Sequence, residues 1–166
     1  SSERAEEIVE EKPFVTFALG SESLGVTLDQ VEEVIELPPV TRVPDAPDYV
    51  LGVICLREQV LPLLDLAQLL SVSGTEERQR DMVVLLSFGG SKLGIVVDGI
   101  QEIVRVKDEE ILPPPPTLGD LERNRMVGVV IRPGRMVTLL DVLSILSQED
   151  RQKLLAMGSS LGSLEK

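Results

Sequence analysis

The chain repeats itself, and an internal repeat constrains a fold more tightly than any single motif. Leu24-Gly25-Val26-Thr27-Leu28-Asp29 returns as Leu93-Gly94-Ile95-Val96-Val97-Asp98, an offset of 69 residues (93 − 24). The match continues through Val31 and Ile100, Glu33 and Glu102, Val34 and Ile103, and Ile35 and Val104, and Gly20 corresponds to Gly89. Downstream, Gly52-Val53-Ile54 returns as Gly128-Val129-Val130, and Leu63-Leu64-Asp65 as Leu139-Leu140-Asp141, now at an offset of 76 (128 − 52). The second copy therefore carries seven extra residues, placed around Pro113-Pro114-Pro115-Pro116. A proline run of that kind cannot join a sheet ladder and serves as a connector.

Each copy spells the same elements. A strand (14–19, or 82–88) leads into a polar turn at Gly20, or at Gly89 and Gly90. Alternation at Leu24, Val26 and Leu28 then puts three apolar side chains on one face of a second strand. A further β-rich stretch follows at 31–37 or 100–106, and the copy closes with a hairpin at Arg57-Glu58 or Pro133-Gly134 and a short helix. Pro-Gly is a strong turn signal, because Pro presets φ at the first central position and Gly accepts positive φ at the second. Asp65 and Asp141 read as N-caps of the short helices, with Gln68 placed for a capping box in the first copy. Ser147 caps a last helix over 148–157 that Gly158 is expected to end.

These signals predict a mainly all-β fold of two pseudo-symmetric five-stranded barrels packed about an approximate two-fold axis, with short helices and a C-terminal helix. Closing each barrel hides edges that would otherwise template aggregation. The expected divisions are an acidic flexible lead-in at 1–13, a body at 14–147 with copies at about 14–80 and 81–147, and a helix and tail at 148–166. Positions shared by both copies serve the fold. Exposed positions that differ between them are free to bind partners.

Composition narrows the function classes. Apolar residues make up 43% of the 166, yet there are only three Phe, one Tyr and no Trp, so aliphatic side chains must fill the core. The formal charge is −12, from 16 basic and 28 acidic side chains. Residues 1–13 hold five Glu against Arg4 and Lys12, which leaves about −9 on the remainder. Such a field repels phosphate backbones and anionic lipid, and base-stacking aromatics are nearly absent. No apolar run approaches the ~20 residues of a membrane span, and no secretory core region is visible. Cys55 is the single cysteine. It allows no intrachain disulfide, fits a reducing intracellular compartment, and within Val53-Ile54-Cys55-Leu56 reads as a buried thiol. The chain has no His, which removes the usual base at neutral pH, the commonest transition-metal ligand and any imidazole partner for a Cys nucleophile. Gly89-Gly90-Ser91-Lys92 is a hairpin-like pair without phosphate-cradle spacing, and the carboxylates form no calcium-loop pattern. A binding module fits better than an enzyme, and no cofactor or metal is implied.

The run Leu51-Gly52-Val53-Ile54-Cys55-Leu56-Arg57-Glu58-Gln59-Val60-Leu61-Pro62-Leu63-Leu64-Asp65-Leu66 resembles the family pattern G-V-I-N-L-R-G, a hydrophobic-Pro-hydrophobic stretch, then D-L, of CheW-type bacterial chemotaxis coupling proteins. The segment from Leu93 to Val104 and the opening pieces Phe17-Ala18-Leu19-Gly20 and Leu24-Gly25-Val26 match as well, so the resemblance covers roughly residues 14–147. It implies two five-stranded SH3-like barrels. It further implies a cytoplasmic, non-catalytic adaptor that bridges chemoreceptor tips to the regulatory domain of the histidine kinase CheA at membrane receptor arrays, with no nucleic acid and no membrane insertion. Val31, Glu33, Arg57, Glu58, Ile100 and Ile103 fall at positions linked to receptor coupling. Val40, Thr41 and Val43, in an apolar stretch between Pro39 and Pro44, are the expected kinase-facing residues. Val31, Ile100 and Ile103 also read as core, and Glu33, with its twin Glu102, as a solvated face. Arg57 stands apart, because its counterpart is Pro133. Two departures mark this chain: Cys55 replaces the family's Asn, and Glu58 replaces the Gly after the Arg.

Other readings come from different classes. One is a CheW-like regulatory domain belonging to a longer kinase or to a fusion with a receiver, which the absence of Met at position 1 keeps open. The other is a small-molecule-binding barrel or an enzyme, which needs an apolar pocket with convergent polar groups.

Overall fold

The computed structural model describes residues 10–70, 81–88, 90–114 and 126–164, with side chains of the last helix through residue 157. Among these residues, ten strands form two five-stranded sheets. One sheet runs in the order β8(Gly99–Lys107), β1(Glu11–Leu19), β2(Glu22–Thr27), β10(Arg135–Leu140), β9(Met126–Arg132). The other runs β3(Val31–Glu36), β6(Met82–Phe88), β7(Ser91–Val97), β5(Gln59–Asp65), β4(Val50–Leu56). Strand-favouring Val, Ile, Leu and Phe build these elements, and the central strands are buried on both faces, as in the unbroken run of buried residues at 83–86 of β6.

The repeat copies exchange strands. The expected division at 80/81 separates copies in sequence but not barrels in space: β1 and β2 of the first copy join β8, β9 and β10 of the second. The middle of the chain, β3 to β7, forms the other sheet without a break. The physical reason lies in two parallel seams. Leu63 of β5 pairs with Gly94 of β7, and Leu139 of β10 pairs with Gly25 of β2. The two recurring motifs of the sequence, Leu-Gly-(Val/Ile) and Leu-Leu-Asp, are thus partners across copies. A β-carbon at Gly94 would lie 2.8 Å from Val83 Cγ1 and 3.1 Å from Leu63 Cδ1, and one at Gly25 would lie 3.3 Å from Leu139 Cδ2. The glycines recur because neighbouring side chains occupy that space.

A second pair of glycines lets connectors cross close to the outer strands. Thr41 bridges Val53 of β4, and Leu112 bridges Val129 of β9, each through two backbone hydrogen bonds. A β-carbon at Gly52 would fall 2.2 Å from the Thr41 carbonyl oxygen, and at Gly128 2.5 Å from that of Leu112.

The main core lies between the sheets, where Phe17, Leu24 and Val26 of one meet Leu64, Leu86 and Ile95 of the other. Smaller cores fill each barrel, around Phe14 and Leu139 in one and Ile54 and Leu63 in the other. Helix α1(Leu66–Leu70) follows β5, and the Gln68 amide donates to Asp65 Oδ1 at 3.2 Å, as an N-cap requires. Asp141 stands at the N-cap of α2(Val142–Ile145) but makes no such bond, and its carboxylate accepts from Ser144 Oγ instead. Helix α3(Gln148–Leu164) starts with the Asp150 amide donating to Ser147 Oγ at 3.0 Å. It inserts Leu154 into the main core, and Asp150 accepts from the Tyr49 hydroxyl at 2.6 Å.

Three expectations need correction. The lead-in does not reach residue 13: β1 begins at Glu11, and Pro13 lies opposite Arg105 of β8, one residue before pairing with β2 starts at Phe14. The part at 1–9 lies outside the described residues, as do Gly89 and the prolines at 115 and 116. Helix α3 continues past Gly158, since an interior glycine weakens a helix by only about 1 kcal/mol. Cys55 is exposed, because β4 is an outer strand and its alternation turns Ile54 inward and Cys55 outward.

Candidate functional site

The tip of the β4–β5 hairpin carries the site. Arg57 has φ 49° and Glu58 φ 68°, so both central residues lie in the left-handed region of a type I′ turn. The twin turn reaches the same end differently: Pro133 holds its fixed negative φ and only Gly134 is left-handed, at 76°. The type I′ geometry brings Arg57 back over the barrel to β3. Its Nη1 and Nη2 donate to the two carboxylate oxygens of Glu33 at 2.7 and 2.6 Å. This fork spans the two outer strands of the sheet, fastening β3 to the hairpin tip and closing the barrel.

The fork is exposed, with 69% of the Arg57 side chain open to solvent against 31% for Glu33. Hydrogen bonding from Arg57 holds the Glu33 carboxyl below its ordinary value, partial burial opposes this, and the charges of Arg57 and Lys92 assist. The same pairing raises Arg57. Lys92 of β7 sits beside the fork, 2.9 Å from Glu32 and 3.3 Å from the Gln59 side-chain oxygen. Together these groups rim an open groove of about 210 Å³, and Leu56, Leu61 and Leu85 supply its apolar lining.

A bulge aims the rim, and a matching one lies on the other sheet. β3 carries one extra residue between Val31, opposite Leu86, and Glu33, opposite Leu85. β8 carries the matching extra residue between Ile100 and Ile103, where the Thr16 hydroxyl fills the irregularity by bonding the backbone of Glu102. Bulges re-aim side chains, and four of the six residues expected to face the receptor flank these two.

The structure sorts the expected residues. Val31, Glu33, Arg57 and Glu58 come together on one barrel, with Val31 half-buried against the main core. Ile100 and Ile103 stand on β8 of the other sheet, 38% and 53% exposed, so the core alternative does not hold for them. Glu33 is no mere solvated face, since the fork occupies it. Val40 and Thr41 are exposed and Val43 is half-buried in the connector between β3 and β4. The sequence reading missed Lys92 and Gln59, and it missed the counterpart pair on the other barrel. There Arg135 holds Glu102 at 2.7 Å, while Arg132 holds Glu110 at 3.0 Å and the Arg105 carbonyl at 2.7 Å. The signal was available: Glu102, as the twin of Glu33, calls for a cation two residues beyond Pro133.

Among the described residues no helix is long and apolar enough to cross a membrane. The chain is 33% identical over 141 residues to a chemotaxis protein CheW from Rhizobium meliloti, covering 85% of this chain and 91% of the relative. Protein FrzA from Myxococcus xanthus is 32% identical over 148 residues, covering 88% and 91% respectively. The crystal structure of the scaffolding protein TtCheW from Thermoanaerobacter tengcongensis shares the fold, with a TM-score of 0.74 at 23% identity, over 84% of this chain and 90% of that one. The family model for the CheW-like domain matches residues 13–150, and the chain belongs to that family.

Proposed function

We propose that the chain is a non-catalytic adaptor that couples chemoreceptor cytoplasmic tips to the regulatory domain of the histidine kinase CheA. It would act in the cytoplasm, held at receptor arrays by protein contacts. Relatives named as chemotaxis proteins support this reading. So does the absence of His, the usual neutral-pH base, from the whole sequence. The observation that carries it is the Arg57–Glu33 fork, exposed at the rim of one barrel beside the bulged Val31. The end-on fork uses one N–H from each terminal nitrogen of an exposed guanidinium, which leaves further N–H donors for an acidic group of a partner. Receptor contact is assigned to Val31, Glu33, Arg57, Glu58, Ile100 and Ile103, and kinase contact to Val40, Thr41 and Val43.

The test is reconstitution of receptor tip, kinase and adaptor with Arg57→Glu. Loss of an exposed pair predicts a melting temperature lowered by no more than a few degrees, together with loss of receptor-dependent kinase activation through like-charge contact. Full activation by the folded variant overturns the role given to Arg57. Failure of the wild-type chain to capture either partner overturns the function itself.

A further inference from the structure

Two consecutive left-handed residues without Gly, Asn or Asp are an unusual choice for a hairpin tip. Arg57 and Glu58 each place a β-carbon against the following carbonyl, which L residues avoid. The other barrel closes the equivalent hairpin with one left-handed glycine, so the fold itself does not demand the strained form. Something beyond the turn must hold it. The fork to Glu33 is the contact that ties the turn to a different strand, and the Glu58 carboxylate, fully on the surface, makes no ion pair among the described residues.

We propose that Glu58 is an affinity-setting residue that acts through the backbone: it keeps the β4–β5 turn under tension, so that the Arg57–Glu33 fork works as a latch. Glu33 holds the turn closed. A partner carboxylate that draws Arg57 away also frees the turn to leave the left-handed region. Departure of Arg57 and relaxation of residues 57 and 58 are then one event, and strain recovered from the turn assists release. Glycine at position 58 removes the share of that strain that residue 58 carries, leaving a turn that stays closed more readily when Glu33 does not hold it.

This extends the coupling site proposed above, but its test needs no partner, so the two ideas can fail separately. Backbone amide exchange is measured on the isolated full chain at neutral pH, with the amides of residues 134–136 as the internal reference. Glu33→Gln is expected to speed exchange at the Gln59 amide, which closes the turn opposite Leu56, by at least about ten-fold while the reference amides stay unchanged. Adding Glu58→Gly to that variant is expected to return exchange to within about three-fold of wild type. Unaltered exchange in Glu33→Gln overturns the latch. Rapid exchange that persists in the double variant shows that the turn is not under tension from residue 58, and overturns the role given to Glu58.

Discussion

Glu33 and Arg57 carry a pH dependence whose sign follows from the pairing. The groups facing the Glu33 carboxylate are the guanidinium of Arg57 and the ammonium of Lys92, and both favour its charged form. Its folded pKa lies below the ordinary 4.5, so the unfolded chain takes up its proton first as pH falls. The stabilisation is therefore complete above pH 4.5 and disappears as acid carries the solution through the folded value. The melting temperature of wild type should exceed that of Glu33→Gln by a constant margin between pH 6 and 8, and the two should converge on further acidification. A margin that widens in acid would contradict the pairing. At this scale the sequence was half legible. Resemblance pointed to both Arg57 and Glu33, while repetition, through the twin Glu102, read Glu33 as a solvated face; neither said that the two touch, because they sit on strands separated by a connector and joined only when the barrel closes. Cys55 was misread for a related reason: an apolar run does not reveal which alternate residues an outer strand turns to solvent.

Most strands were legible in the sequence, although Leu28, expected on the second strand, falls in a 3-10 turn after β2 ends at Thr27, and the neighbours of each strand were not legible. Period-two burial identifies a strand and its inner face without saying which strand lies beside it. The parallel seams therefore came only with the structure, although their mark, Gly25 and Gly94 at equivalent places, stood in the repeat. The seam makes a sharp prediction. Gly94→Ala puts a methyl 2.8 Å from Val83 Cγ1 and 3.1 Å from Leu63 Cδ1, at a site enclosed on all sides by the β5–β6–β7 packing. Overpacking of that kind costs roughly 1–3 kcal/mol. Gly99 lies a few residues on, with no atom within 4 Å of an added β-carbon, and Gly99→Ala should change stability by less than about 0.5 kcal/mol. Denaturant unfolding of the two variants checks the contrast, and equal midpoints would mean that the seam glycine serves some need other than packing.

For the whole molecule, the exchange of strands decides what can fold alone. A fragment of residues 14–80 is one complete sequence copy, yet it holds two strands of one sheet and three of the other. Its β3 has lost β6, its β5 has lost β7, and its β2 has lost β10, so the ladders on one flank of each are gone. Each broken ladder exposes backbone donors and acceptors that the intact sheet satisfies, and the main core loses the side chains of β6 and β7. The fragment should show no cooperative thermal transition. A fragment of residues 31–97 differs in kind, because it contains all five strands of one sheet in unbroken order. It keeps the small core around Ile54 and Leu63 but leaves Leu64, Leu86 and Ile95 without Phe17, Leu24 and Val26 opposite. An open apolar face of that size drives association, so this fragment should form native-like sheet by circular dichroism and oligomerise on sizing. Mixing it with the remaining two pieces, residues 10–30 and 98–166, should restore a monodisperse complex. If instead the 14–80 copy melts cooperatively as a monomer, the copies fold as units and the exchange of strands is not what holds the molecule together.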